Sequence, residues 1–590
     1  MKNRTAAVAA LCFSVFVPGS VLADNAYLVR NLVSDVPFLA DNTDTNLKGA
    51  WGISESATSP FWIADAASGV STLYGSNGGV IPLVVTIPPA KGGAQGVPTG
   101  TVWNGSGGFE VATGKSAVFL FDTLDGTISG WNSGVDRTHA VVEVDNSSTG
   151  AVYTGLALAS NTSTSFLYAA NFHAGTVDVF DTSWKPVATP NGFVDTMLPP
   201  GYAPFNVQNL GGKLYVAYAL QNANKNFAVA GAGKGFVDVY DISGNLLQRI
   251  SAAQFNAPWG LAIAPAAFGD FAGDLLVGNF GDGTINAFNP QSGAFVATLN
   301  DVYGTPIVVP NLWALQPGNG GNGGDKGAVY FTAGIPGPDN GTHGLFGRLQ
   351  AAPVITADQV LNGASFQPGI APNTWVAIKA SSLSATTRTW QSEDFINGAL
   401  PTTLDLVNVM INGKPAYLAY VSPRQLNILV PADTPPGPAQ ISVINQGLAS
   451  AVVNVQMQTF APAFFLAADG KHVAATHADG SLVGPAGKNP SQGTPAKPGE
   501  TIVLYGTGFG QTTPPIPEGM LVTSPATVAN TPTILIGGVI SQAPFVGLTG
   551  PGLYQLNVTV PSGTPDGDIP VVAQISTQVS PAGAVIAVQH

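Results

Sequence analysis

Asp65, Asp122, Asn171 and Asn279 recur at matching places, each closing a short apolar stretch: FWIAD, AVFLFD, FLYAAN and DLLVGN. Hard oxygen donors presented in a ring are what a divalent cation such as Ca2+ takes as ligands. Asn206 joins them, because it replaces a glycine found at the same place in sister segments and would turn a carboxamide toward the same axis. These five residues are the candidate metal ligands, and Ca2+ is the candidate cofactor. His173 follows Asn171 in NFHAG. An imidazole on a loop beside such a ring is placed to act as a general base, so His173 is the candidate catalytic residue. Asp and Asn also close turns by accepting hydrogen bonds from nearby backbone N–H groups, which gives the same pattern a purely structural reading.

The elements that carry these residues are repeated. Opening strands recur at Trp51-Gly52-Ile53, Thr99-Gly100-Thr101, Thr154-Gly155-Leu156, Phe205-Asn206-Val207, Trp259-Gly260-Leu261 and Trp313-Ala314-Leu315. Their spacing of about fifty residues, with short strands bounded by Gly, Pro, Asn or Asp, is that of propeller blades. Six copies predict a six-bladed β-propeller over residues 24–350. The last copy lacks an outer strand, and the otherwise unassigned AYLVRNL from Ala26 is expected to supply it and leave no open edge there. Trp51, Trp259 and Trp313 recur in register and are read as packing between blades.

Beyond residue 350 the pattern changes. The stretch from Asn373 through SPRQLNILVP is echoed by the stretch from Glu500 through GLYQLNVTVP. Alternating strands of this kind predict two immunoglobulin-like β-sandwiches, residues 351–457 and 458–590, without a cysteine pair. Gln425 and Asn427 recur as Gln555 and Asn557, each pair on one face of a strand. The whole chain is therefore expected to be all-β.

Composition fixes the compartment and removes several chemistries. Lys2 and Arg4, the apolar run after them and Val21-Leu22-Ala23 have the form of a secretory signal peptide over residues 1–23. Secretion to the extracellular space or periplasm is expected. The single cysteine, Cys12, falls within that leader, so the mature chain would have no disulfide. A formal charge of −13 and the lack of a basic stripe argue against nucleic acid. No later stretch is apolar enough to predict a membrane-spanning helix. Neither a G-x-S-x-G elbow, an H-E-x-x-H helix, a P-loop nor a dinucleotide fingerprint is present. The glycine-rich run 318–324 lacks the Lys-Ser/Thr of a phosphate cradle and reads as a flexible loop.

The motifs DGTISGW, ANFHAGTVDVFD, PPGYAPFN, GAGKGFVDVYD, PWGLAIAP and GNFGDGTINAF resemble a family of secreted bacterial propeller proteins of unestablished function. HADGSLVG, PGETIVLYGTGFG and GLYQLNVTVP in the tail resemble a C-terminal module common on secreted proteins of soil bacteria. More distantly, the propeller is similar to NHL-repeat proteins and to gluconolactonase-type lactonases, and that resemblance implies a divalent cation in the channel. The leading expectation is a binding protein for an extracellular ligand, a glycan or a small molecule. The alternative is a metal-dependent hydrolase or lactonase. An aromatic plug in the channel would favour the first; several converging acidic or amide groups would favour the second.

Overall fold

The computed structural model describes residues 26–189, 192–336, 342–384, 386–485 and 493–590. The expected leader and Cys12 lie outside the described residues. Among the described residues the chain is made of strands and turns, with helix confined to short 3-10 turns.

Up to residue 351 the longer strands form six antiparallel sheets in chain order. The first holds Ala50–Ser54, Phe61–Asp65, Val70–Tyr74 and Val80–Thr86, and the second Pro98–Trp103, Phe119–Thr123, Thr127–Trp131 and Val141–Asp145. The third has three strands, Tyr153–Ser160, Ser165–Asn171 and Thr176–Phe180. The fourth is Tyr202–Leu210, Lys213–Leu220, Phe236–Tyr240 and Leu246–Ile250, and the fifth Pro258–Ile263, Leu275–Asn279, Ile285–Phe288 and Phe295–Thr298. The sixth comprises Leu312–Pro317, Ala328–Ala333, Leu345–Ala351, then Tyr27–Ser34 and the short Asn42–Thr43. Each opening strand touches the next, and the sixth touches the first. The result is a propeller-like ring of sheets around an axis.

Burial reflects that arrangement. All five residues of the opening strand Ala50–Ser54 are buried, whereas the outer strands Val80–Thr86 and Phe295–Thr298 are exposed or half-buried at every position but one. An inner strand has a neighbouring sheet on each side; an outer one meets water. The recurring glycine of the opening triplet has its cause here. A Cβ at Gly100 would lie 2.6 Å from the Leu156 backbone nitrogen, and one at Gly260 2.6 Å from the Trp313 carbonyl. A Cβ at Gly52 would overlap the Thr99 carbonyl. Only glycine lets successive inner strands approach this closely.

The ring closes through its ends. Tyr27–Ser34 pairs antiparallel with Leu345–Ala351, Tyr27 opposite Ala351 and Ser34 opposite Leu345. The Tyr27 hydroxyl donates to the Phe268 carbonyl at 2.9 Å, which ties the same strand to the fifth sheet.

Residues 355–457 share one apolar core between two sheets, one containing Trp375–Lys379, Gln425–Leu429 and Tyr417–Val421, the other Val407–Ile411, Gly437–Asn445 and Val453–Met457. Residues 464–588 share a second. The sequence repeat reappears as a shared pairing: Trp375–Lys379 lies against Gln425–Leu429, and Thr501–Thr507 against Leu553–Thr559.

Candidate functional site

The four strand-end residues share one local structure. Asp65, Asn171 and Asn279 each accept at their backbone carbonyl from the N–H of the glycine four residues on, Gly69, Gly175 and Gly283, at 2.9, 2.9 and 3.0 Å. Those glycines have φ of +70°, +75° and +74°, the left-handed conformation that a tight turn needs. Gly126 stands at the same offset from Asp122 with φ +83° and bonds to Thr123.

Their side chains then fasten neighbouring backbone. Asp122 Oδ1 accepts from the Thr99 hydroxyl at 2.7 Å and from the Gly100 N–H at 2.5 Å, holding the opening strand of its own sheet. Asn171 Oδ1 accepts from Val152 and Ala174, and Asn279 Oδ1 accepts from Asn256, so both fix the segment that enters their sheets. Asp65 Oδ2 accepts from the Thr72 hydroxyl at 2.8 Å. Asn206 donates to the Trp259 carbonyl at 2.8 Å and accepts from the Val207 N–H, bridging the fourth and fifth sheets. Among the described residues no hydrogen bond joins any two of these five side chains, and no three His, Cys, Asp or Glu are grouped to hold a metal ion. The bonded oxygens of this set serve separate clasps, while Asp65 Oδ1 and Asp122 Oδ2 are buried without a hydrogen-bond partner. Burial pushes Asp122 up to about 6, against the pull of Thr99 and Gly100, and raises the fully buried Asp65 well above the ordinary range.

His173 is half-buried on the loop after Asn171, with Gly150 beside its ring. The Gln221 side chain donates to the Phe172 carbonyl at 2.5 Å and the His173 carbonyl at 3.3 Å, pinning that loop. His173 does not line the channel cavities.

The axis has two unlike ends. Trp51, Trp259 and Trp313 are each the second residue of an opening strand, at the end where the clasps lie. Trp51 stacks on Trp313 with centroids 3.6 Å apart, Phe280 stacks on the same indole at 4.2 Å, and Trp259 meets it edge-on at 5.9 Å. Phe205 and Phe172 complete a buried aromatic plug. Beneath it the channel narrows to a void of about 10 Å3 between Gly52, Gly100 and Asn206. That is about the least space that holds one water molecule.

At the other end, where the opening strands finish, a cavity of about 180 Å3 is lined by Ser54, Glu55, Thr101, Trp103, Gln208 and Gln316 among others. Glu55 Oε2 is buried without a hydrogen-bond partner, under Gly323, where any Cβ would overlap it. Burial pushes this carboxyl up to about 9, against a smaller downward pull from its hydrogen bond with Gln316. Glu55 is therefore a neutral acid at neutral pH, able to donate a proton or a hydrogen bond into the mouth. Trp103 is 39% exposed at the rim. The glycine-rich run expected to be a flexible loop is held here by Asn319, whose amide donates to the Ser56 and Ser59 carbonyls at 2.9 Å.

Glu55, Gln208 and Gln316 were not among the sequence candidates. Their signal is small: the residue after the opening triplet is polar in the first, fourth and sixth copies, as Ser54, Gln208 and Gln316. In the tail, Gln425 donates to Asn427 at 2.7 Å and Gln555 to Asn557 at 2.8 Å, so each repeated amide pair closes on itself.

No known protein-family profile matches the chain. It is 32% identical over 339 residues to an uncharacterised protein of Acanthamoeba polyphaga mimivirus, spanning 55% of this chain and 86% of that one. It belongs to that protein's family. A second mimivirus member is 31% identical over 343 residues, spanning 56% of this chain and 82% of its own length. Among solved structures, a streptogramin B lyase overlaps 55% of this chain and 98% of its own at 8% identity and a TM-score of 0.33. The PQQ-bound aldose sugar dehydrogenase of Streptomyces coelicolor overlaps the same shares at 10% identity and 0.34.

Proposed function

We propose that the protein is a secreted six-bladed β-propeller followed by two immunoglobulin-like modules, and that it binds a small, uncharged, hydroxyl-rich ligand of the glycan class at the Glu55 mouth. One observation carries this reading. The aromatic plug closes one end of the axis, and the other end keeps a polar cavity lined by Glu55, whose buried Oε2 has no protein partner. A neutral carboxyl and two glutamine amides offer donors and acceptors without net charge, which suits hydroxyl groups better than an ion. The exposed face of Trp103 supplies an apolar platform of the kind a sugar ring stacks on.

The test is a thermal-shift and calorimetric screen of neutral oligosaccharides against the mature chain. A saturable shift that Glu55→Gln and Gln208→Ala both weaken supports the site. A complete absence of shifts, or a shift indifferent to both substitutions, overturns it. Ca2+ addition after chelation is expected to leave the melting temperature unchanged, because these Asp and Asn side chains are engaged in separate clasps with different partners. The same neutral carboxyl favours a second reading, acid-assisted hydrolysis of an ester or lactone in the mouth. Turnover abolished by Glu55→Gln, with ligand binding retained, would identify it. N-terminal sequencing of exported protein tests removal of residues 1–23.

A further inference from the structure

The third sheet stops one strand short of its neighbours, because the chain leaving its last strand is pulled away on both sides. It turns at Trp184, whose indole N–H donates to the Glu110 carbonyl at 2.8 Å while its ring packs edge-on against Phe109, both beside the second sheet. Two backbone bonds then tie the returning chain to the strand, from the Asp181 N–H to the Lys185 carbonyl at 2.9 Å and from the Val187 N–H to the Val179 carbonyl at 2.8 Å, about a Phe180–Pro186 bridge. Beyond them the chain runs between the third and fourth sheets, where Phe193 packs on Tyr168 of the third and Tyr240 of the fourth and Asp195 pairs with Arg249 of the fourth. Among the described residues no hydrogen bond between Thr189 and Val177 continues the ladder. Because Val179 turns its carbonyl outward, Val177, two residues earlier, turns its N–H and carbonyl the same way.

A groove of about 570 Å3 lies along this edge, between Thr176–Phe180 and the last strand of the second sheet. Every propeller blade exposes an outer edge; here the edge lies one strand spacing deeper, about 4.8 Å, and is walled by its neighbour. Val177, Val144 and Val187 give the groove an apolar floor, and Glu143, Asp145 and Asp178 its charge. No Lys or Arg lines it; Lys91 stands beside Asp145, and Lys185 at the turn is exposed. Asp178 is occupied by the Tyr153 hydroxyl and the Asn171 amide, and Asp145 by Ser147 and Lys91 backbone, so Glu143 is the carboxylate most available to a partner.

We propose that this gap is a strand-addition site: an extended peptide carrying Lys or Arg on the side facing Glu143 pairs with the edge at Val177, whose outward backbone groups bond to no described residue, and becomes the missing fourth strand. Main-chain hydrogen bonds would supply affinity and alternate side chains the preference, as in other edge-strand recognition. The acidic groove selects basic peptides.

The probe is a fluorescein-labelled peptide of alternating lysine and valine, titrated against the full mature chain by fluorescence polarisation. Saturable binding is expected, weakened about tenfold by Glu143→Lys and by N-methylation of alternate peptide nitrogens, the scale of one lost charge-assisted or main-chain hydrogen bond. In the unsubstituted protein, slowed hydrogen exchange at Val177 on peptide addition is the companion readout, independent of any variant. No saturable binding overturns the proposal. So does equal binding of the N-methylated peptide, which would mean attraction by charge alone, or protection of Val177 only when sedimentation shows the chain self-associating, which would assign the edge to a second copy.

Discussion

At the residue scale, burial inside the ring of sheets makes several acids keep their protons to higher pH than free carboxyls do. Burial raises Asp122 from 3.8 to about 6 and Glu55 from 4.5 to about 9. Asp238 rises to about 7 through burial and the nearby Asp195 charge, partly offset by Arg249. Between each ordinary value and its raised one the unfolded chain has released the proton and the folded chain has not, so stability falls as pH rises through that window. His472, set between Asp469 at 2.5 Å and Asp568 at 2.9 Å, is raised by both carboxylates against its own desolvation. Its contribution is complete below 6.5 and lost as pH climbs past its raised value, in the same direction. The melting temperature is therefore expected to fall from pH 5 to pH 9, and Glu55→Gln to flatten the alkaline part of that fall in differential scanning calorimetry. An unchanged slope in the variant would show that Glu55 ionises freely in the folded chain.

At the element scale, Tyr27–Ser34 is the strand that makes the ring a ring. It pairs along its length with Leu345–Ala351 and anchors Tyr27 beneath Phe268 and Phe271, with ring centroids 4.6 and 5.6 Å away. Removing residues 26–34 would expose the edge of Leu345–Ala351, all of it buried, and the apolar faces of two sheets. The truncated protein is expected to be insoluble, or to lose its cooperative melt, when compared with the untruncated protein by circular dichroism. This closure was legible because an unassigned apolar strand and a sheet lacking one stood at opposite ends of the repeat. The strand-end Asp and Asn were legible as a pattern but not as a role. A turn clasp and a cation ligand demand the same residue types, and only the partners distinguish them: Gly100 for Asp122, Asn256 for Asn279. Glu55 was hidden for a different reason. Its chemistry comes from Gly323 and Gln316, far along the chain, and no local spacing carries that information. The gap in the third sheet was less hidden, since WKPVATPNGFV carries two prolines, which cannot donate to a ladder, while the packing of Trp184 and Phe193 that draws the chain aside has no local signal.

At the scale of the whole molecule, the two C-terminal cores are separate in composition but joined by several hydrogen bonds, Trp375 making two of them. Trp375 begins a strand of the first, yet its backbone N–H donates to the Thr507 hydroxyl at 3.0 Å and its indole N–H to the Pro551 carbonyl at 2.8 Å in the second. Asn373 adds a bond to the Tyr554 hydroxyl at 3.0 Å, and Lys414 reaches Glu518 at 2.6 Å. The exposed lysine pair adds little, because solvent screens it; the half-buried indole is the stronger link. The connection to the ring of sheets is thinner, with Gln446 donating to Asp325 at 2.9 Å across it. Coupling of this kind makes the two sandwiches one cooperative unit that unfolds apart from the ring. Calorimetry of the protein is expected to show two transitions, the one from the tail accounting for both sandwiches together. Trp375→Ala removes the indole bond and its packing at a cost of about 3 kcal/mol, the lower end for truncating a large aromatic, and should split the tail transition in two while leaving the propeller transition in place. A tail that still melts in one step after that substitution would place the coupling elsewhere, in the Asn373 and Thr507 contacts.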